Sequence, residues 1–164
     1  MKISVTIAII LAMAVFIYGC ARGEASAEEI LDAICAELEL PSGEKYVYIA
    51  EEGSRGYFSA EEMRDIYGKD AEEIFSLTSD YALYFSSFAC PYEAAVIKCR
   101  SRSDTDRVAA MLRERAEENA VLLRDTEFRD VSENTIVYIN GRYVIAVSSN
   151  DRESASNAVK KAIG

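Results

Sequence analysis

Four cysteines, ten tyrosines and no histidine delimit the chemistry open to this 164-residue chain. Without histidine there is no Ser-His or Cys-His nucleophile pair, no imidazole general base and no His-bearing metal site. Carboxylates alone could cleave a glycosidic bond, but only if two of them converged roughly 5 to 9.5 Å apart in a cleft, and no spacing in the chain demands that. The cysteines stand at 20, 35, 90 and 99 with no C-x-x-C among them, which argues against a zinc ribbon or a thioredoxin-type site. Cys90 and Cys99 flank a β-rich run, and at roughly 3.3 Å per residue they would stand well beyond the ~7 Å limit for a disulfide. Cys35 could pair with either; buried free thiols behaving as small hydrophobes are the plainer reading. Asp104, Asp106, Asn150 and Asp151 lack the spacing of a calcium loop, and each group precedes a helical pattern, where capping is expected. Ser148, Ser149 and Ser154 have no base beside them and suit turns and caps. The glycines at 53, 56, 68 and 141 spell neither G-x-G-x-x-G nor a P-loop. No metal and no cofactor is expected. The tyrosines are the better candidates. Tyr46, Tyr48, Tyr57 and Tyr67 fall in an irregular stretch, and rigid amphipathic rings suit the capture of a peptide or glycan. Tyr46, Tyr48 and Tyr57 are the candidate binding residues; the alternative is that these rings fill and edge a sheet face.

The N-terminus carries an address. Lys2 precedes the apolar run Ile3 to Ile17, broken only by Ser4 and Thr6, and Ile17-Tyr18-Gly19-Cys20 ends it with a small residue before a cysteine. That layout is an export signal, and its ending resembles the lipobox of bacterial lipoprotein precursors. The resemblance implies that Cys20 takes a diacylglyceryl group and that the signal, 1–19, is cut away, leaving 20–27 as a lipidated tether. The expected location is the extracytoplasmic face of the cell membrane. Two other readings stay open. Ala25-Ser26-Ala27 offers a secretory cleavage site, and the apolar run, although shorter than the roughly 20 residues a spanning helix needs, could be retained. The mature chain would hold 17 basic and 28 acidic residues, a formal charge of −11. Such a body repels nucleic acid and anionic lipid headgroups alike, so the expected partners are the membrane, through the lipid anchor, and an envelope protein.

The elements that must position these residues follow in order. Ser26 caps a helix to about Leu40 whose inner positions are Ile30, Leu31, Ile34 and Leu38; Pro41 and Gly43 stop it. Tyr46 to Ile49 could form a short strand. Ser59-Ala60-Glu61-Glu62 is a capping box opening a helix to Tyr67, ended by Gly68, and Asp70 caps a further turn, Ala71 to Phe75. Asp80 to Ser86 and Glu93 to Cys99 read as strands joined through Cys90-Pro91. Ser103 or Asp104 then caps a long helix to about Leu123 with Val108, Leu112, Ala116, Ala120 and Leu123 inward. Thr135 to Ile139 and Arg142 to Ser148 flank Asn140-Gly141, a hairpin signal of the type I′ kind. Asp151 caps a last helix through Ala162, with Ala155, Val159 and Ile163 inward.

The expected fold class is therefore α+β: a four-stranded antiparallel sheet in ββαββα order, its two long helices packed on one face, preceded by N-terminal helical segments, in one domain spanning 28–164. The strands are apolar on both sides, so the first helix and residues 42–76 are available to cover the second face. The early helix ending in ELELP, Tyr67-Gly68, EAAVIKCRSRSDTDRV and the closing NGRYVIAVSSNDRESASNAVKKAI together resemble the DUF4358 family of small bacterial lipoproteins. The resemblance implies architecture and address; that family's biochemical role is unassigned, and no active residue carries over. The function these features suggest is a non-catalytic, lipid-anchored extracytoplasmic binding or interaction module. The alternatives are a carboxylate-based cell-wall hydrolase or an accessory subunit of an envelope or transporter assembly.

Overall fold

A computed structural model of the chain describes residues 24–86 and 91–164. Cys20, the signal at 1–19, the first part of the tether and Cys90 lie outside them. The described chain is α+β, and its sheet has five strands rather than the expected four. In chain order the elements are α1 (Ala27–Glu37), β1 (Gly43–Val47), α2 (Ala60–Tyr67), α3 (Ala71–Ser76), β2 (Thr78–Ser86), β3 (Glu93–Cys99), a 3-10 turn (Arg102–Asp104), α4 (Thr105–Leu122), α5 (Arg129–Glu133), β4 (Ile136–Asn140), β5 (Tyr143–Val147) and α6 (Arg152–Ile163). The strands lie in the order β1-β2-β3-β5-β4, every neighbouring pair antiparallel.

The extra strand is β1. It begins three residues before the expected run and ends at Val47, where Tyr48 and Ile49 turn away. Its first half, Gly43-Glu44-Lys45, is exposed and charged, as suits an edge strand, and so shows no apolar alternation. Gly43 lets it pair closely with β2: a Cβ there would lie 2.3 Å from the Phe85 carbonyl oxygen.

The second departure concerns the helices. Alternate residues of the strands form two cores. Ala82, Tyr84, Ala94, Val96, Ile145 and Val147 point to one face, where they meet Ile30, Leu31 and Ile34 of α1 and Ala155 and Val159 of α6. Tyr81, Leu83, Ala95, Ile97, Cys99 and Val144 point to the other, against Phe58, Ala71 and Phe75 and against Val108, Ala109, Met111 and Leu112 of α4. The two long helices thus cover opposite faces, not one. The cause is symmetrical demand: both faces of β2, β3 and β5 are apolar and each needs a cover. α6 joins α1 on the first face, where Lys161 donates to Glu37; α4 joins α2 and α3 on the second.

Local signals hold where side chains cap helices. Ser26 and Ser59 each close a capping box, with Glu29 and Glu62 reaching back, and Asp151 accepts from the Ser154 amide. Asp70 makes no side-chain cap, and Ser101 rather than Ser103 or Asp104 caps the turn before α4. The hairpin is present but its turn differs. Asn140 pairs with Tyr143, so Gly141-Arg142 are the central residues, and Gly141 alone has positive φ, +60°. This is a Gly-X turn of the II′ kind; Asn140 belongs to the strand. Residues 123–135, which carry no clear sequence signal, hold α5 and its fully buried Val131. Among the described residues, no helix is long and apolar enough to cross a membrane.

Candidate functional site

Phe58 is the hub of the tyrosine-bearing half. It is 1 % exposed, and its ring lies 5.1 Å from Tyr46, 5.6 Å from Phe75, 6.2 Å from Tyr67 and 6.4 Å from Tyr81. β1 delivers Tyr46 to this cluster, α2 delivers Tyr67, and the capping box at Ser59 fixes the angle at which α2 leaves Phe58. Tyr46 is half-buried, and its hydroxyl bonds Glu44 at 3.2 Å. Burial, and then the nearby Glu62 carboxylate, push its phenol up to about 12.

Tyr48 and Tyr57 stand at the rim of the same cluster. Tyr48 is 44 % exposed and sets its ring edge-on against Tyr81 at 5.5 Å. Its amide donates to the Tyr81 carbonyl, while the loop carrying Tyr57 folds back so that the Gly56 carbonyl accepts from the Val47 amide. Tyr81 itself is buried, and burial, then the neighbouring Tyr57 and Tyr48 phenols, raise it to about 12. Ile49, next to Tyr48, is 79 % exposed. The three candidate tyrosines are therefore brought to one region with different roles: Tyr46 packs, whereas Tyr48 and Tyr57 edge a surface that continues into Ile49. Sequence reasoning misses Ile49; its signal is an isoleucine followed by the polar run Glu51 to Arg55.

A groove of about 300 Å³ opens on the same side of the sheet, between the α2–α3 turn and α4, lined by Tyr67, Lys69, Asp70, Arg107, Glu114 and Arg115 among others. At its inner end Arg115 forms a half-buried ion pair with Glu93. Tyr67 lies beside that pair, and burial, with Glu93 adding and Arg115 opposing, drives its phenol far above the usual range. Nothing in the sequence points here, because Tyr67, Glu93 and Arg115 come from three elements. A general acid needs a raised carboxyl pKa. The shifts resolved at Glu24, Glu62 and Asp151 run the other way, led by hydrogen bonds from Lys98, Ser59 and Ser154 respectively.

Cys35 and Cys99 are free thiols on opposite sides of the sheet. Burial raises both to about 11, with Asp32 adding at Cys35 and Asp104 at Cys99, so neither is a thiolate nucleophile at neutral pH. Among the described residues no three Cys, Asp or Glu side chains converge as a metal would require.

The first described residues are held firmly. Residues 24–27 fall within the expected tether, yet Glu24 pairs with Lys98 at 2.8 Å and Arg142 at 2.7 Å. The Tyr143 hydroxyl donates to the Ala25 carbonyl, and the Ala27 amide donates to Asp80 at 2.8 Å. No family model, no curated protein and no solved structure matches the chain.

Proposed function

We propose that this is a lipid-anchored extracytoplasmic binding module that performs no catalysis. Its signal would be residues 1–19, its lipid attachment Cys20, and its contact surface the rim of Tyr48 and Tyr57. The observation that carries the reading is the contrast at that rim. Both sheet faces are sealed by helices, while Tyr48 and Ile49 are left exposed on a rigid aromatic base. Exposed rings whose rotamers are fixed by packing suit binding, because little side-chain entropy is lost on contact. The N-terminal export pattern and the resemblance to small bacterial lipoproteins supply the compartment.

Two experiments test it. In a bacterial host the full-length protein should incorporate a fatty-acid analogue, and Cys20→Ala should accumulate as an unlabelled, uncleaved precursor; label retained on the variant would remove the anchor assignment. Tyr48→Ser with Tyr57→Ser should weaken capture of the module's binding partner while leaving the unfolding midpoint nearly intact. A variant that folds and loses no binding would move the contact surface elsewhere.

A second reading, an accessory subunit of an envelope assembly, is favoured by one feature: Val121 and Leu122, at the end of α4, are 63 % and 72 % exposed. Leu122→Glu should then abolish crosslinking to the assembly. The hydrolase reading has no comparable support: the carboxylates that line the groove, Asp70, Glu114 and Glu118, are all exposed, and the half-buried Glu93 beside it is engaged by Arg115.

A further inference from the structure

The rim and Glu24 lie at the same end of the sheet. Pairing registers show this directly. Val47 stands opposite Ala82 and the Tyr48 amide donates to the Tyr81 carbonyl, so the turn that carries Tyr48 and Ile49 lies at the end of β2 that holds Asp80; Asp80 pairs with Lys98, Lys98 with Tyr143, and Tyr143 with Asn140. Glu24 is fastened to that row through Lys98 and Arg142. Ile49's corner is two strands from Lys98, roughly 10 Å at the usual strand spacing.

Resting on the lipid-anchored reading above, we infer that this end of the sheet sits on the bilayer and that Ile49 and Tyr48 enter its interface. The residues between Cys20 and Glu24 are only Ala21, Arg22 and Gly23. Whatever path they take, four Cα steps reach at most about 14 Å, and the headgroup layer takes up roughly 5 to 8 Å of that. The domain cannot swing away from the membrane, and the end that carries Glu24 must face it. On that end the exposed apolar side chain is Ile49, 79 % exposed, beside a tyrosine whose ring is apolar and whose hydroxyl is polar; tyrosine favours the membrane–water boundary for that reason. Attraction by charge is not the cause. Lys98 and Arg142 are committed to Glu24, the exposed Arg100 and Arg102 are offset in number by Glu51 and Glu52, and the whole chain carries −10. The contact forms because a short leash keeps the apolar corner at high local concentration beside the interface. The occupant of the rim, the contact surface proposed above, is then the lipid surface, and Val121 and Leu122 at the end of α4 lie far from it. α4 leaves the membrane end after Cys99 and its 18 residues carry Leu122 roughly 27 Å away along the helix.

The chain contains no tryptophan, so one introduced indole reports its own depth. Full-length protein carrying Ile49→Trp, purified with its N-terminal modification, would be reconstituted into phosphatidylethanolamine–phosphatidylglycerol vesicles and floated. Leu122→Trp protein would be treated in parallel. The expected result is that both float, that Ile49→Trp emits to the blue of its detergent-free soluble value and loses most of its intensity to acyl-brominated lipid, and that Leu122→Trp does neither. Floated Ile49→Trp protein that resists quenching would overturn the inference and return the rim to a protein partner, with the anchor reading intact. Equal quenching at both positions would overturn it too, because the end would not be selected. Protein that fails to float would remove the anchor and the inference together. Raising the salt should leave the quenching unchanged or strengthen it, because screening relieves the repulsion between the acidic body and phosphatidylglycerol, whereas a contact driven by attraction between opposite charges would weaken.

Discussion

Gly43 and Gly141 are both glycines at strand ends, and they are required for opposite reasons. At Gly43 the backbone of β2 occupies the space a side chain would need: an added Cβ would stand 2.3 Å from the Phe85 carbonyl oxygen and 2.8 Å from the Ser86 Cα. Backbone cannot rotate aside as a side-chain end can, so Gly43→Ala must separate the strands or displace β1, an overpacking cost of about 1 to 3 kcal/mol. At Gly141 nothing lies within 4 Å, and the demand is for φ at +60°. Gly141→Ala should cost about 1 to 2 kcal/mol from left-handed strain alone. Asn140→Ala should cost less, because Asn140 is a paired strand residue with ordinary φ. Urea midpoints of the three variants check the ranking; an Asn140 variant as damaged as the Gly141 variant would restore a turn centred on Asn140-Gly141. The sequence shows the dipeptide but not which residue begins the turn, since Asn-Gly at the I′ centre and Gly-Arg at the II′ centre fit the same two flanking runs.

At the scale of elements, capping chemistry is legible in the sequence because it is local. Ser26, Ser59 and Asp151 each act within three residues of themselves. β2, β4 and β5 are legible too, being dense in β-branched and aromatic residues, and β3 as a short apolar run after Pro91. What cannot be read is which sheet face each helix takes, because apolar stripes on α4 and α6 say only that each has an inward side. β1 is obscured by the polarity that protects an edge. The aromatic hub is an element-level device of the same non-local kind: Phe58 sits in a loop, yet its ring joins β1, β2, α2 and α3. Phe58→Ala removes that common contact and should destabilise the fold by about 3 to 5 kcal/mol. Tyr48→Ala removes one edge contact from a side chain already 44 % exposed, and should cost well under half as much. Denaturant unfolding of the two variants separates hub from rim. Comparable losses would mean that Tyr48 belongs to the core, and the surface assigned to it would have no basis.

For the whole molecule, the same burial that builds the second core sets a limit on alkaline stability. Tyr46 and Tyr81 ionise only at about 12 in the folded chain, Tyr67 later still, whereas an unfolded tyrosine ionises near 10. A group whose pKa is raised by folding stabilises the native state fully below its unfolded pKa, and that contribution is lost as pH rises through the folded value. From about pH 10 upward, therefore, the unfolded chain releases phenolic protons that the native chain retains, and stability falls steadily through pH 12. Absorbance near 295 nm should show a fraction of tyrosines ionising late and together with loss of near-ultraviolet circular dichroism. Tyr67→Phe deletes the most strongly shifted of the three without opening a large cavity. Its fall in stability between pH 10 and pH 12 should consequently be shallower than that of the parent, whatever the variant's stability at pH 7. Parallel curves for the two proteins would show that Tyr67 ionises freely in the folded state. The groove beside Arg115 would then be open to hydroxide and solvent down to the Glu93 ion pair, rather than closed by the Tyr67 ring.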